Sequence, residues 1–200
     1  KYRVRSLVLM PTMIHDIVNY EGSLDFSHVR TVTSIGQELR PHLKASFEER
    51  FKIPILTNYG STEVGHVAGW GVKDLKEGRW KPGSVGRLYP GVELEIRDNA
   101  GNALPPGEAG EIFVNSQVTT KGYAGNAEEN KELIHEGWTR TGDMGYLDND
   151  GVLFIKGRKR DMIKCGGFQV WPMEIEKVLM KHPKVKDVAV VGVADDRMGE

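Results

Sequence analysis

The stretch from Val29 to Thr57 constrains the fold more than any other part of the chain. Val29 to Thr33 is rich in β-branched residues and ends in Ser34-Ile35-Gly36. Leu39, Leu43, Phe47 and Phe51 then recur at helical spacing, and Pro54-Ile55-Leu56-Thr57 is a second short apolar run. The pattern reads strand, helix, strand, and a helical crossover is the usual link between parallel neighbours. Upstream, Ser6 to Met10 is another buried-type run, and Met13, Ile14, Ile17 and Val18 put an apolar face on Pro11 to Tyr20. The expectation is an α/β sheet whose site lies at the strand ends, where the polar turns collect.

From Gly83 onward the style changes. Gly, Pro and Asn-rich turns separate short alternating segments such as Val92 to Arg97 and Glu111 to Asn115, which predicts a β-rich subdomain over residues 83–157. Near the end, Pro172 sits at the favoured first position of a further helix, Glu174 falls in its first turn, and His182 is expected to close it just before Pro183. The apolar run Val188 to Val193 reads as one more strand. A chain of 200 residues that lacks an initial Met and stops soon after a strand-like run is expected to be a piece of a longer protein.

Charge and cysteine content narrow the function classes. A net charge of −1 and a pI near 6.7 give no global field for nucleic acid. The one local basic run, Lys156 to Lys164, crowds five cations around Asp161 but lacks the interleaved aromatics of a nucleic-acid surface. A single cysteine, Cys165, excludes an internal disulfide and a cysteine-based metal cluster. No run approaches the roughly twenty apolar residues of a membrane span. The expected location is cytoplasmic, with a C-terminal peroxisomal signal left open.

Two short segments carry chemistry. Asn58-Tyr59-Gly60-Ser61-Thr62-Glu63 follows the second apolar run. A tyrosine face stacks on a base, a glycine admits close backbone approach, a threonine hydroxyl donates to phosphate, and a glutamate holds Mg²⁺ beside phosphate oxygens. The same residues also read as a capped turn. The second segment is a hairpin: Met144 to Leu147 and Leu153 to Lys156 flank Asp150-Gly151, a strong two-residue turn signal. That turn pairs Asn149 with Val152, Leu147 with Phe154, and Asp143 with Arg158. Opposed side chains share a face, so a carboxylate and a guanidinium meet at the open end, either as an ordinary ion pair or as a pair that grips a diol.

Taken together, these segments resemble the adenylate-forming superfamily of acyl- and aryl-CoA synthetases, luciferases and nonribosomal adenylation domains. The resemblance rests on Tyr59 to Glu63, Lys121-Gly122-Tyr123, Gly137-Trp138 with Thr141-Gly142-Asp143, and Gly157 to Asp161 leading into Ile163 to Pro172, in that order along nearly the whole chain. It implies an α/β N-domain portion over residues 1–157, a hinge over 158–161 and the start of a small α+β domain over 162–200. It further implies that Gly36 and Gln37 pack on adenine, Tyr59 and Gly60 flank it, Thr62 contacts phosphate, Glu63 binds Mg²⁺, and Asp143 with Arg158 hold the ribose. Asn58 and Gly60 fall on the acyl pocket, and Asn58 stands where many aryl-acid relatives have glycine. Arg160 takes the hinge position, where Lys or Asp is commoner. Lys164, Gly166, Gly167 and Gln169 form the loop that lines the pantetheine tunnel.

The implied activity is ATP-dependent acyl- or aryl-CoA ligation of a small carboxylic acid, with Mg²⁺ and CoA. The alternatives are a luciferase-like or carrier-protein-loading enzyme and a non-catalytic nucleotide- or acyl-CoA-binding relative. A Ser/Thr/Gly-rich phosphate loop upstream and a lysine near the far C-terminus, both expected of the family, are not in this sequence. The piece alone is therefore expected to be inactive.

Overall fold

The computed structural model describes residues 3–182, 184–185 and 187–200. The first layer is parallel. Strand β1 (Ser6–Leu9), helix α1 (Pro11–Asn19), β2 (Thr31–Ser34), α2 (Pro41–Phe51) and β3 (Ile55–Ser61) follow one another, and β1, β2 and β3 pair side by side in parallel. Both helices begin with proline at the first turn, where the missing N–H costs nothing. Lys52 ends α2 in the left-handed region and donates its N–H to the Glu48 carbonyl. Ile14, Val32, Leu43, Phe47 and Ile55 are buried where the helices meet the sheet, and Phe26 and Phe51 close the cluster. Four buried aliphatic side chains and a phenylalanine, at about 1.5–3 kcal/mol each, make this packing the main support of the layer.

The rest of the sheet is antiparallel. Strands β4 (Gly65–Gly69), β5 (Gly86–Leu88), β6 (Glu93–Arg97), β7 (Gly110–Asn115), β8 (Ile134–His135), β9 (Trp138–Leu147) and β10 (Val152–Arg158) extend it in the order β3-β4-β5-β10-β9-β7-β6, with β8 on β9. Helix α3 (Val72–Lys76) lies between β4 and β5, and α4 (Ala127–Leu133) precedes β8. A second core of Val64, Val67, Ala68, Ile96, Ile112, Val114 and Leu153 fills this half. A 3-10 turn at Lys159–Asp161 follows β10, and then β11 (Ile163–Cys165) and β12 (Phe168–Val170) form a separate two-stranded sheet before α5 (Pro172–Leu179).

Three expectations change. Strand β3 does not stop at Thr57. Its first residues pair in parallel with β2, while Asn58 to Ser61 pair with β4 in the opposite sense, so the motif lies within a strand that joins the two halves of the sheet. The run Val188 to Val193 is not a strand. The Val190 N–H is taken by the Glu176 side chain, and Val191 and Val193 are 75% and 72% exposed, so no strand among the described residues covers them. Helix α5 ends at Leu179, short of His182, and Pro183 lies outside the described residues.

A further change concerns the hairpin of β9 and β10. Leu147 faces Leu153 and Tyr146 faces Phe154, one residue off the expected register. The Asp148 N–H donates to the Val152 carbonyl, and the Asp148 carboxylate accepts from the backbone N–H groups of Asp150 and Val152, which makes a three-residue loop at 149–151. A bulge between Ile155 and Gly157 then inserts one residue and shifts the register back. Arg158 therefore faces Asp143 after all, because two one-residue departures cancel.

Candidate active site

A second irregularity lies on β9. Its pairing with β7 shifts between Glu111 and Phe113, where Thr141, Gly142 and Asp143 bow out of register. Gly142 has φ +72°, a conformation that side chains resist. The Thr141 hydroxyl fastens the bow, donating to the Ile112 carbonyl at 2.9 Å and accepting from the Asp143 N–H at 3.1 Å. Bulges in β9 and β10 thus lie on either side of the Asp143–Arg158 pair and turn it out of the sheet.

The pair faces a cleft of about 1180 Å³. Gly36 and Gln37 line it from the loop after β2, Asn58, Tyr59 and Gly60 from β3, and Arg160 from the 3-10 turn. Asp143 accepts a hydrogen bond from the Tyr59 hydroxyl at 2.8 Å and lies 3.4 Å from Arg158 Nε. Burial, and after it the Asp143 carboxylate, pushes the Tyr59 hydroxyl far up, so it stays protonated and donates. Burial also raises Asp143 above the ordinary carboxylate range, outweighing Tyr59 and Arg158. At Gly60 a β-carbon would meet the Gly65 carbonyl oxygen at 2.0 Å, so only glycine fits this crossing of β3 and β4. Asn58 lies 2.6 Å from His66 Nδ1 through its Nδ2. Its Oδ1, and the Ser34 hydroxyl nearby in the cleft wall, are buried with no partner among the described residues.

Thr62 and Glu63 stand apart from this cluster. They occupy the turn between β3 and β4, outside the cleft lining, with Thr62 exposed and Glu63 half-buried. Glu63 accepts one hydroxyl on each carboxylate oxygen, from Ser61 at 2.7 Å and from Tyr123 at 2.7 Å. Those bonds, Ser61 first, hold its carboxyl below the usual range. Among the described residues no group of three His, Cys, Asp or Glu gathers to hold a metal. An ionised carboxylate with lone pairs to spare fits Mg²⁺ bound in the usual way, by one protein oxygen together with phosphates and water.

The residues expected to line the pantetheine tunnel are also outside the cleft lining. Lys164 pairs with Gln169 across β11 and β12, Gly166 and Gly167 make the turn, and Gly166 N–H donates to the Met198 carbonyl at 2.7 Å. The basic run is not gathered around Asp161. Among the described residues only Arg160 pairs with it, at 3.5 Å. Lys156 reaches Glu174 at 3.0 Å, Arg158 reaches Asp143, and Lys159 reaches Glu111 at 2.8 Å. Lys177 to Glu38 at 2.9 Å and Asp187 to Arg40 add two further contacts from the C-terminal elements to the cleft rim. Trp171 is buried beside Gly157 and lines the same cleft.

Sequence reasoning assigned no role to Glu111, Arg140, Tyr123 or Ser61. For Glu111 a signal existed: it is the one charge in the run Gly110 to Val114, which is buried on both faces, and a charge placed there needs partners.

The cleft opens at the end of the parallel layer, with a tyrosine and a carboxylate–guanidinium pair at its edge. The chain belongs to the AMP-binding enzyme family, whose model matches residues 1–124, and the model of the AMP-binding enzyme C-terminal domain matches residues 174–200. It is 35% identical over 202 residues to an oxalate–CoA ligase of Saccharomyces cerevisiae, covering 100% of this chain and 37% of that protein. It is 38% identical over 175 residues to a probable CoA ligase of Humulus lupulus, covering 88% of this chain and 33% of the relative. The chain thus spans about a third of the length of these relatives. Among solved structures, the amide bond synthetase McbA from Marinactinospora thermotolerans superposes with a TM-score of 0.88 at 34% identity, over 98% of this chain and 41% of that one. The o-succinylbenzoate CoA synthetase of Bacillus subtilis, in complex with its acyl-adenylate intermediate, gives 0.84 at 30%, over 98% and 40%.

Proposed function

We propose that this chain is part of an ATP-dependent, AMP-forming acid–thiol ligase. The observation that carries the reading is the convergence of Gly36, Gln37, Tyr59, Asp143 and Arg158 on one cleft in a member of the AMP-binding family. In the first step a substrate carboxylate attacks the α-phosphorus of ATP, forming acyl-AMP and releasing pyrophosphate. In the second, a CoA thiol attacks the acyl carbon and AMP leaves.

Within that scheme Asp143 accepts from the ribose hydroxyls and Arg158 donates to them, while Tyr59 flanks the base and holds Asp143 in place. The backbone at Gly36 and Gly60 lets the nucleotide approach, and Thr62 donates to phosphate. Glu63 would hold Mg²⁺, which when bound neutralises charge on the phosphate oxygens. Asn58 Oδ1, buried and unpartnered, is a polar wall of the acyl pocket. Residues 158–161 are the hinge with Arg160 at its pivot, residues 1–157 and 162–200 are parts of the two domains, and Lys164, Gly166, Gly167 and Gln169 face CoA after rotation.

The test is carboxylate-dependent ATP–pyrophosphate exchange by the full-length protein that carries this chain, followed by CoA-dependent AMP release. Exchange without CoA dependence would move the acceptor away from a thiol. An amine is then the acceptor to try, because a structure of TM-score 0.88 to this chain is described as an amide bond synthetase. No exchange with any acid, alongside intact nucleotide binding, would make the protein a non-catalytic relative.

A further inference from the structure

Glu111 is the most enclosed carboxylate of the sheet, with a side chain 5% exposed, and it does not line the cleft. It accepts from Arg140 Nε at 2.6 Å and Arg140 Nη2 at 3.1 Å, a two-pronged contact, and from Lys159 Nζ at 2.8 Å. The positions of those two cations matter. Arg140 immediately precedes the bowed segment Thr141-Gly142-Asp143 on β9, and Lys159 immediately follows Arg158 at the end of β10. One buried carboxylate on β7 therefore grips the chain next to both members of the Asp143–Arg158 pair.

We propose that Glu111 is a positioning residue for that pair, fixing the bow that projects Asp143 through Arg140 and pinning the end of β10 that carries Arg158 through Lys159. The physical need is clear in the geometry. Arg158 is the last residue of its strand, its side chain is 53% exposed, and its contact with Asp143 is long, at 3.4 Å. A terminal strand residue with so few contacts frays unless something behind it is tied down. The tie also sets where motion can begin. Lys159 is held to the sheet, whereas Arg160 contacts only its neighbour Asp161 among the described charges, so a turn of the following segment starts at Arg160 and leaves Arg158 in place.

The inference rests on the ribose role proposed for Asp143 and Arg158, and the experiment separates the two. In the full-length protein labelled at aspartate carboxyl carbons, with Asp143 assigned through Asp143→Asn, the titration of Asp143 is followed by NMR without ligand. Lys159→Met should move it upward, as Arg158→Met does, because the guanidinium no longer stays beside it; Lys159→Arg should restore it. The double variant should move it no further than Arg158→Met alone, the signature of action through Arg158. In parallel, AMP affinity should fall about tenfold in Lys159→Met and in Arg158→Met, the size expected for one charge-assisted hydrogen bond, with 2′,3′-dideoxy-AMP unaffected. An Asp143 titration that Lys159→Met leaves unchanged overturns the positioning role, whatever the nucleotide does. A titration that moves while both variants bind AMP normally keeps the positioning role and removes the ribose assignment.

Discussion

Glu111 and Asp143 lie on neighbouring strands of one sheet, with side chains 5% and 13% exposed, and their acidities part in opposite directions. Burial pushes both carboxyls up. At Glu111 the guanidinium of Arg140 and the ammonium of Lys159 outweigh it, and the group is held below its ordinary value. At Asp143 the hydrogen bond from a neutral tyrosine and the exposed guanidinium groups of Arg158 and Arg160 do not, and the group stays above its own. Enclosure alone does not tell an anchor from a binding group. What tells them apart is whether the charge is already matched: Glu111 has its cations, and Asp143 retains acceptor capacity toward the cleft.

The strongest way to break this comparison is to neutralise each carboxylate. Glu111→Gln should lose about 3 kcal/mol of stability at neutral pH, because two cations are left facing an amide in a nearly enclosed site. Asp143→Asn should lose less than about 1 kcal/mol, since the amide oxygen still accepts from Tyr59. Urea unfolding of both variants against the parent decides, and equal losses would dissolve the distinction. The pH dependence sharpens it. Glu111 binds its proton less readily folded than unfolded, so its contribution is present above about pH 4.5, its ordinary value, and is lost as pH falls through the depressed folded value. The gap between parent and Glu111→Gln should close on acidification. Asp143 has the opposite sign: its contribution is present below pH 3.8 and is lost as pH rises through its raised folded value. Asp143→Asn should therefore gain on the parent across that rise.

Glu63 combines features of the two: its carboxyl is held below its ordinary value like that of Glu111, and it accepts from neutral hydroxyls as Asp143 does from Tyr59. Glu63→Gln should keep the fold and lower pyrophosphate exchange by at least about a hundredfold, ~2.7 kcal/mol on the barrier. Near-normal exchange would remove the Mg²⁺ assignment. Asp143→Ala should raise the KM for ATP about tenfold, ~1.4 kcal/mol, with a smaller change in kcat; an unaltered ATP dependence argues against a ribose contact. A loss of similar size, confined to one half-reaction, is expected at the boundary that Glu111 defines. Arg160→Pro fixes φ where the chain must turn, so adenylation should persist while thioester formation falls about tenfold. Proportional loss in both steps, measured on one preparation, would place the pivot elsewhere.

The parallel layer was legible because helix and strand periods alternate there. The hairpin shows where such reading stops. Asp150-Gly151 named the turn correctly as a place but not as a length, since the Asp148 carboxylate captures two backbone N–H groups and takes in Asn149. The bulge at Lys156 leaves no local mark, so the pairing of Arg158 with Asp143 was anticipated through a register that holds only at that end. Strand β3 was cut short because Tyr59-Gly60-Ser61 resembles a turn, and only the partner β4 makes it a strand. Gly36, Gln37, Asn58, Tyr59, Gly60, Asp143, Arg158 and Arg160, singled out in the sequence, line one cleft, and Thr62, Glu63 and the Lys164 to Gln169 hairpin lie outside it, while the charge of Glu111 was not singled out at all. Its partners lie 29 and 48 residues away, beyond any local pattern.

The C-terminal elements reach the cleft rim through Lys156 to Glu174, Lys177 to Glu38 and Arg40 to Asp187, contacts whose side chains are all substantially open to water. Exposed pairs of this kind are each worth from nothing to about 1 kcal/mol, and dissolved ions weaken them further. Such a fastening behaves less like a bolt than like a row of press-studs. Under the hinge proposed for residues 158–161, it would align the two sides when they meet and yield one contact at a time, leaving the buried Trp171 as the apolar part of the seal, so the ionic strength of the surroundings would become a dial on how long the cleft stays covered.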